Sequence, residues 1–359
     1  MPTTPKQKTS YTTIHKQLRR EIESDYVPGQ MLASENTLAS RFSVSRLTIR
    51  RALAVLRDEG LVQSYHGRGT VVADRLSTGE MAIVLSDAML EPNGSRYYSM
   101  VTARINESIR NKHPRMRVRT HIEPYTKDPR NFPKELTLME PDVLRTLRGV
   151  FTFNPLYQLE DELKAANVPV VTMGKAGTHR ITYDRRQFME LAARHIADAG
   201  ARTIGIIWTT FLKEIESEED NFLLIFRDTI GKLGLQTKPQ WCVCHEGHIA
   251  ESDGYDRFLN YWKMPEKPAA LIVTDDVLCA GVLRATLKLG LSLPKDIKCL
   301  TLSNAGVTLP YHKPVTSVNV SPEEMAKRAV SIMTQLVRGD EASSGTIRTP
   351  VTLSIGETT

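Results

Sequence analysis

The sequence predicts an α/β chain in two parts: a small winged helix-turn-helix head, then a two-lobed body of doubly wound parallel sheets. Three observations predict it. Three helical patterns and a glycine-bounded hairpin fill the first 72 residues. Beyond residue 80, strand and helix patterns alternate in two successive sets, which implies parallel sheets covered by helices. Finally, the 359 residues carry a net charge of +6, and +5 of it lies in residues 1–75, where 12 Lys and Arg face seven Asp and Glu. A basic module joined to a near-neutral body points to an anionic partner for the head.

In the head, Tyr11, Ile14, Leu18 and Ile22 recur at intervals of three, four and four, one face of a helix. Pro28 and Gly29 in "YVPGQ" force a turn after it. Ser34 can cap the short helix "ENTLASRF" through the free N–H groups of its first turn. "SVS" is a tight turn, and Ser45 can cap a third helix whose Ile49, Ala52, Leu53 and Leu56 face inward. That helix stops at Gly60, which suits a left-handed position after a helix end. "LVQSYHGRGTVV" reads as two short strands around a glycine turn. In a winged helix-turn-helix the third helix enters the DNA major groove by its N-terminal residues. Arg46 and Arg50, one turn apart, can there pair with guanine or phosphate, and Ser45 and Thr48 offer short hydroxyls. His66 and Arg68 on the wing can reach the minor groove or backbone. Arg51 and Arg57, further along, read as readily as solvated or backbone-facing side chains as they do as functional ones.

Residues 11–72 resemble the DNA-binding domain of the GntR family of bacterial transcription regulators. The resemblance rests on "Y..I...L...I", then "PGQMLASENTLASRFSVSRLTIRRALAVLRDEGLVQSYHGRGTVV". Ala33 departs from it, standing where the family usually has Pro. Position by position, the resemblance implies DNA contacts at Asn36, Ser45, Arg46, Thr48, Arg50, His66 and Gly67. Arg68 is added from its charge and place on the wing.

Residues 73–80, "ADRLSTGE", are polar and without periodicity, and read as a linker between a head of residues 1–72 and a body of residues 81–359. "MAIVLSD" begins the body as a buried strand. Helix from about Tyr98 to His113, strand "VRTHIEPY", helix from about Pro133 to Leu147, strand "GVFTFN", helix "LYQLEDELKAA" and strand "VPVVTM" follow. "ITYD" reads as a link to a second set: helix 186–199, strand "TIGIIW", helix 219–234, strand "QWCVCH", helix 254–262, strand "ALIVTDD", helix 277–289 and strand "KCLTLS". Ligands of such sheets bind at the carboxyl ends of the strands, here between the lobes.

From about residue 81 to 355 the chain resembles the effector domain of the LacI/GalR regulators, itself similar to periplasmic sugar-binding proteins. "GYDRFLNYWKMPEKPAALIVTDDVLCAGVLRATLKLGLSLPKDIKCLTLSN" and "KPVTSVNVSPEEMAKRAVSIMTQLVRG" carry it. The pairing with a GntR head is similar to the arabinose-repressor subgroup. The resemblance implies a periplasmic-binding-protein-like body, a small effector with a sugar as the first expectation, and a homodimer on a pseudo-palindromic operator. Effector contacts would come from Tyr97 and Tyr98, where the family often has aromatics, from Asp275 at a strand end and from Asp184 at the first crossover. For each, packing or capping is the rival role, and Trp208 reads as pocket floor or core. Phe222 stands where the family has a sugar-gripping Arg, and Ser303 and Asn304 where it has an Asp pair. These departures leave room for a less polar or differently charged effector. The resemblance leans toward repression relieved by ligand.

Other classes fit less well. No run of 18 apolar residues could span a membrane, and the polar N-terminus lacks a signal-peptide core, so a cytoplasmic protein is expected. "CVCHEGH" matches no common zinc spacing, and Cys242, Cys244, Cys279 and Cys299 read as free thiols without metal. Ser-His-Asp elbow, P-loop and HExxH motifs are missing, so neither an enzyme nor a cofactor is expected.

Overall fold

The computed structural model describes residues 10–359 except 66–68, 77, 92–93, 125–135, 155, 157–158, 175, 211–217 and 248. In the head, α1 (Tyr11–Asp25), α2 (Glu35–Phe42) and α3 (Arg46–Asp58) enclose one apolar cluster. Ile14, Leu18, Leu38, Ile49 and Leu56 are its centre. The antiparallel pair β1 (Val62–Tyr65) and β2 (Gly69–Val72) closes it. Each helix opens on a serine, Ser10, Ser34 or Ser45, whose hydroxyl accepts the N–H three residues on. Such caps satisfy backbone donors that the first turn leaves free. Ser43 adopts a left-handed φ of 52° between α2 and α3, which makes the turn tight.

The first lobe begins with β3 (Gly79–Ser86), α4 (Tyr97–Lys112), β4 (Met116–Glu123), α5 (Pro141–Thr146) and β5 (Leu147–Thr152). It continues with α6 (Glu160–Ala165), β6 (Val170–Thr172) and β7 (His179–Tyr183). The second lobe holds α7 (Arg185–Asp198), β8 (Ile204–Thr210), α8 (Phe222–Lys232), β9 (Cys242–Glu246) and α9 (Glu251–Trp262). β10 (Ala270–Val273), α10 (Asp276–Lys288), β11 (Lys298–Asn304) and β12 (Thr316–Val320) complete its run. The chain then crosses back through α11 (Pro322–Arg338) to β13 (Gly345–Thr349) and returns as β14 (Val351–Ser354). Strand order is β13-β7-β6-β5-β3-β4 in one sheet and β14-β12-β11-β10-β8-β9 in the other. The described pairings are parallel except β12 with β14. Three crossovers therefore join the lobes, after β7, β12 and β13.

"ITYD" is not a link but the heart of β7, between β6 and β13, with Ile181 fully buried. The helix expected to run to Leu147 ends at Thr146, because all six residues from Leu147 to Thr152 are buried in β5. The segment before β3 is not wholly solvated either: Ala73 and Leu76 are buried, and Asp74 accepts the Leu76 N–H at 3.0 Å. Among the described residues, no helix is long and apolar enough to cross a membrane.

Candidate functional site

The head presents an exposed face at the N-terminal ends of α2 and α3. Ser45 caps α3, and its hydroxyl lies 2.9 Å from that of Thr48. Arg46 and Arg50 follow on the outer face with side chains 58% and 59% exposed, although both approach one carboxylate. Glu35, at the first position of α2, lies 2.8 Å from Arg50 Nε and 3.6 Å from Arg46 Nη2. Asn36 beside it is exposed. One carboxylate between two guanidiniums leaves this face positive. Arg51 is exposed, whereas Arg57 donates to Ser64 Oγ of β1 at 2.9 Å and so ties α3 to the wing. His66, Gly67 and Arg68 lie outside the described residues.

The second constellation lies between the lobes, at the carboxyl ends of the strands. Tyr97 and Tyr98 open α4, half-buried, with ring centroids 5.5 Å apart. Phe153, just beyond β5, meets them edge-on at 6.0 and 5.3 Å. From the other lobe come Asp275 and Asp276. Asp275 caps α10, accepting the Val277 and Leu278 N–H groups at 2.9 and 3.0 Å through one oxygen. Burial and then the neighbouring Asp276 charge push its carboxyl up to about 7. Asp276 is also raised, by burial, although Asn304 Nδ2 donates to it at 2.9 Å. The same Asn304 nitrogen lies 3.4 Å from Ser95 Oγ of the first lobe, a polar link across the cleft. Burial raises the Tyr98 phenol, and the Asp275 and Asp276 charges add to that.

A second link between lobes centres on Asp220, which is 3% exposed. Arg180 of β7 pairs with it at 2.7 Å and Arg348 of β13 at 3.3 Å, while Arg185 of α7 donates to its carbonyl. Burial works to raise the Asp220 carboxyl, but the Arg180 hydrogen bond and the charges of Arg180, Arg185 and Arg348 bring it below its ordinary value.

The other expected cleft residues have packing or capping engagements. Asp184 caps α7, accepting the Gln187 N–H at 2.9 Å. Trp208 and Phe222 belong to the large apolar cluster shared by the lobes. Phe222 is 2% exposed, meets Phe188 edge-on at 6.0 Å and lies under the Arg185 guanidinium at 4.6 Å. Ser303 is buried, and its hydroxyl has no partner among the described residues. In the cysteine-rich segment, Arg257 Nε donates to His245 at 3.1 Å, and the described residues contain no group of three potential metal ligands. His248 lies outside them. Phe153, Asp276 and Glu35 are not among the site residues the sequence points to, and Asn304 enters there only as a departure from the family's Asp pair. Asp276 is the second half of the "DD" whose first half was chosen, and Glu35 follows directly on the capping serine.

Comparison with known proteins matches both halves. Residues 10–72 match the bacterial regulatory proteins of the gntR family, and residues 193–359 match a periplasmic binding protein-like domain. The chain thus joins a segment that matches the gntR family to one that matches a periplasmic binding protein-like domain. Sequence relatives of the whole are distant. The transcriptional repressor PurR of Actinobacillus pleuropneumoniae is 25% identical over 180 residues, 49% of this chain and 52% of that protein. The transcriptional regulator LacR of Lactobacillus helveticus is 30% identical over 142 residues, 38% and 41% of the two chains. The chain thus spans about half the length, or less, of these curated relatives. In structure, the transcription regulator CcpA of Lactococcus lactis superposes with a TM-score of 0.61 at 16% identity, covering 79% of this chain and 99% of that one. A LacI-family regulator of Clostridium acetobutylicum gives 0.63 at 20% identity, covering 77% and 99%. These likenesses establish the fold of the body. The head has its own family match over residues 10–72.

Proposed function

We propose that this protein is a transcription regulator whose grip on double-stranded DNA is set by a small molecule bound between the lobes of its body. The observation that carries the reading is one chain with a GntR head, Arg46 and Arg50 exposed at the start of its third helix, joined to a two-lobed body with a polar, aromatic-walled cleft. Asn36, Ser45, Arg46, Thr48, Arg50, His66, Gly67 and Arg68 are the proposed DNA contacts. Tyr97, Tyr98 and Asp275 are the proposed effector contacts, because an oxygen of Asp275 and both phenol hydroxyls have no hydrogen bond among the described residues. Trp208, Phe222 and Asp184, engaged in packing or capping, and the buried Ser303 are proposed as its frame rather than as direct contacts. The protein acts in the cytoplasm as a homodimer, since two-fold symmetry is the common oligomeric solution and suits a pseudo-palindromic operator.

Repression relieved by ligand is the proposed sense, supported by the repressor relatives. A sugar is the first effector class. A second reading, an effector bearing an amine, is favoured by the Asp275 and Asp276 charges acting on Tyr98, whose ring adjoins Tyr97 and Phe153, a setting that suits a cation. The test is thermal unfolding of the full chain against sugars, sugar acids, polyols and amino sugars, followed by DNA binding with each hit. A ligand binding the folded state at 100 times its Kd adds about 2.7 kcal/mol of stability. A hit that also weakens DNA binding supports the proposal, and a protein that binds DNA but responds to no ligand class refutes the effector half.

A further inference from the structure

Away from both sites, the head meets the first lobe around a cluster of arginines. Arg19 of α1, Arg75 of the connecting segment, and Arg145 and Arg148 of the first lobe line a cavity of about 20 Å³ together with Glu59 at the end of α3. Arg148 is 3% exposed. Its Nη2 donates to the Glu59 carbonyl and its Nη1 to the Arg145 carbonyl at 3.0 Å, while its Nε has no partner among the described residues. Burial and then the nearby Arg75 charge push its pKa down to about 10, against the opposing pull of Glu59. Arg145 pairs with the exposed Asp142 at 3.2 Å, and Arg75 Nη2 donates to the Asn167 carbonyl at 3.0 Å. The lining carboxylate, Glu59, uses Oε1 on His15 at 2.9 Å and more loosely on Arg19 at 3.9 Å. Its Oε2 is buried without a hydrogen bond among the described residues.

Four guanidiniums and one carboxylate line a space for about one water-sized group, with Arg148 Nε and Glu59 Oε2 both buried there without a hydrogen bond among the described residues. One negative oxygen there gains Coulomb energy from every arginine. The unused Glu59 oxygen adds a condition: the ion must also donate a hydrogen bond. From this we infer that the head–body junction is a binding site for an oxyanion that carries a hydroxyl at neutral pH, inorganic phosphate. One oxygen enters between the guanidiniums, and the hydroxyl donates to Glu59 Oε2. A DNA phosphodiester has no such hydroxyl and neither does sulfate at neutral pH, so both are disfavoured. Because Glu59 closes α3, the occupied site ties the reading helix to the body through the ion. The inference is independent of the effector site between the lobes.

The test is thermal unfolding of the full chain in rising phosphate, sulfate or chloride at constant ionic strength. A saturable rise in midpoint with phosphate is expected, with sulfate needing at least about tenfold more for the same shift. Arg75→Gln and Arg145→Gln, with folding checked by circular dichroism, abolish the response. Glu59→Gln removes the preference for phosphate over sulfate, since an amide can donate to either. Arg46→Ala and Arg50→Ala leave the response intact. A wild-type chain without a saturable phosphate effect overturns the assignment. So does an equal response to sulfate, a response that survives both arginine variants, or one lost with Arg46 and Arg50, which would put the ion on the DNA-reading face.

Discussion

Arg50 Nε lies 2.8 Å from Glu35, and the same carboxylate oxygen is 3.6 Å from Arg46 Nη2. Glu35 thus gathers the two exposed arginines of α3 at one point. Either arginine can leave it at low cost, because exposed ion pairs contribute about 0–1 kcal/mol. Arg50→Ala and Arg46→Ala should each weaken operator binding by about 1–3 kcal/mol where they read a base. Where they meet phosphate, the loss is the same on any sequence and the salt slope falls by about one. Fluorescence anisotropy on operator and scrambled DNA at several salt concentrations distinguishes the two roles.

The acid pair in the cleft makes stability depend on pH in a definite direction. Burial and then Asp276 raise the folded-state carboxyl of Asp275 to about 7, against an ordinary value of 3.8. Between those values the folded chain holds a proton that the unfolded chain has released. Stability is therefore greatest at the acidic end of this window and falls as pH rises toward 7. Asp275→Asn keeps an oxygen for the Val277 and Leu278 N–H groups and removes the charge. It should raise the unfolding midpoint at pH 8 by roughly 2–4 °C, equivalent to about 1 kcal/mol. The gain should vanish near pH 4, and calorimetry at the two pH values checks the sign.

Asp220 has the opposite sign. Its carboxyl is held below the ordinary value by Arg180, Arg185 and Arg348 despite its burial. The stability it contributes is present above pH 3.8 and is lost as pH falls through the lower folded-state value. Asp220→Ala strands Arg180, whose side chain is 9% exposed, and should cost about 3–5 kcal/mol. Since Arg180 and Arg348 belong to one lobe and Asp220 follows β8 of the other, the variant should also open the body. Small-angle scattering would register a larger radius, and an unchanged radius and midpoint would refute the latch.

Local chemistry made the head readable. Capping serines, a buried stripe at helical spacing and a glycine-bounded hairpin are short-range signals, and α1, α2 and α3 follow them closely. In the body, strand and helix alternation marked most elements. "ITYD" misled because a five-residue strand is built by neighbours far away in sequence: β13, more than 160 residues later, pairs with it. For the candidate cleft, Tyr97, Tyr98 and Asp275 are named through the resemblance and their places at element ends, and the structure sets the two tyrosines beside Phe153 and Asp275 beside Asp276. The sequence did not reveal that Asn304 bridges Asp276 to Ser95, or that Asp220 collects three arginines. Those contacts join lobes, and neither periodicity nor spacing encodes which lobe faces which.

Phe222 is where resemblance and packing disagree most sharply. The resemblance puts a ligand-gripping Arg at this position, and on that ground alone Phe222→Arg restores a lost contact. In the structure the ring is 2% exposed, packs on Phe188 and lies under the Arg185 guanidinium at 4.6 Å. A second guanidinium there would be buried beside the first, with the nearby Asp220 already engaged by Arg180 and Arg348. An unpaired buried charge costs about 3–5 kcal/mol. Phe222→Arg should therefore lower the unfolding midpoint and create no sugar binding, whereas Phe222→Leu should cost less than its charged counterpart because it keeps the site apolar. Thermal unfolding of both variants with and without sugars decides it. A stable arginine variant that gains sugar binding would mean that the side chain turns into the cleft and that Arg185 does not hold this corner of the core.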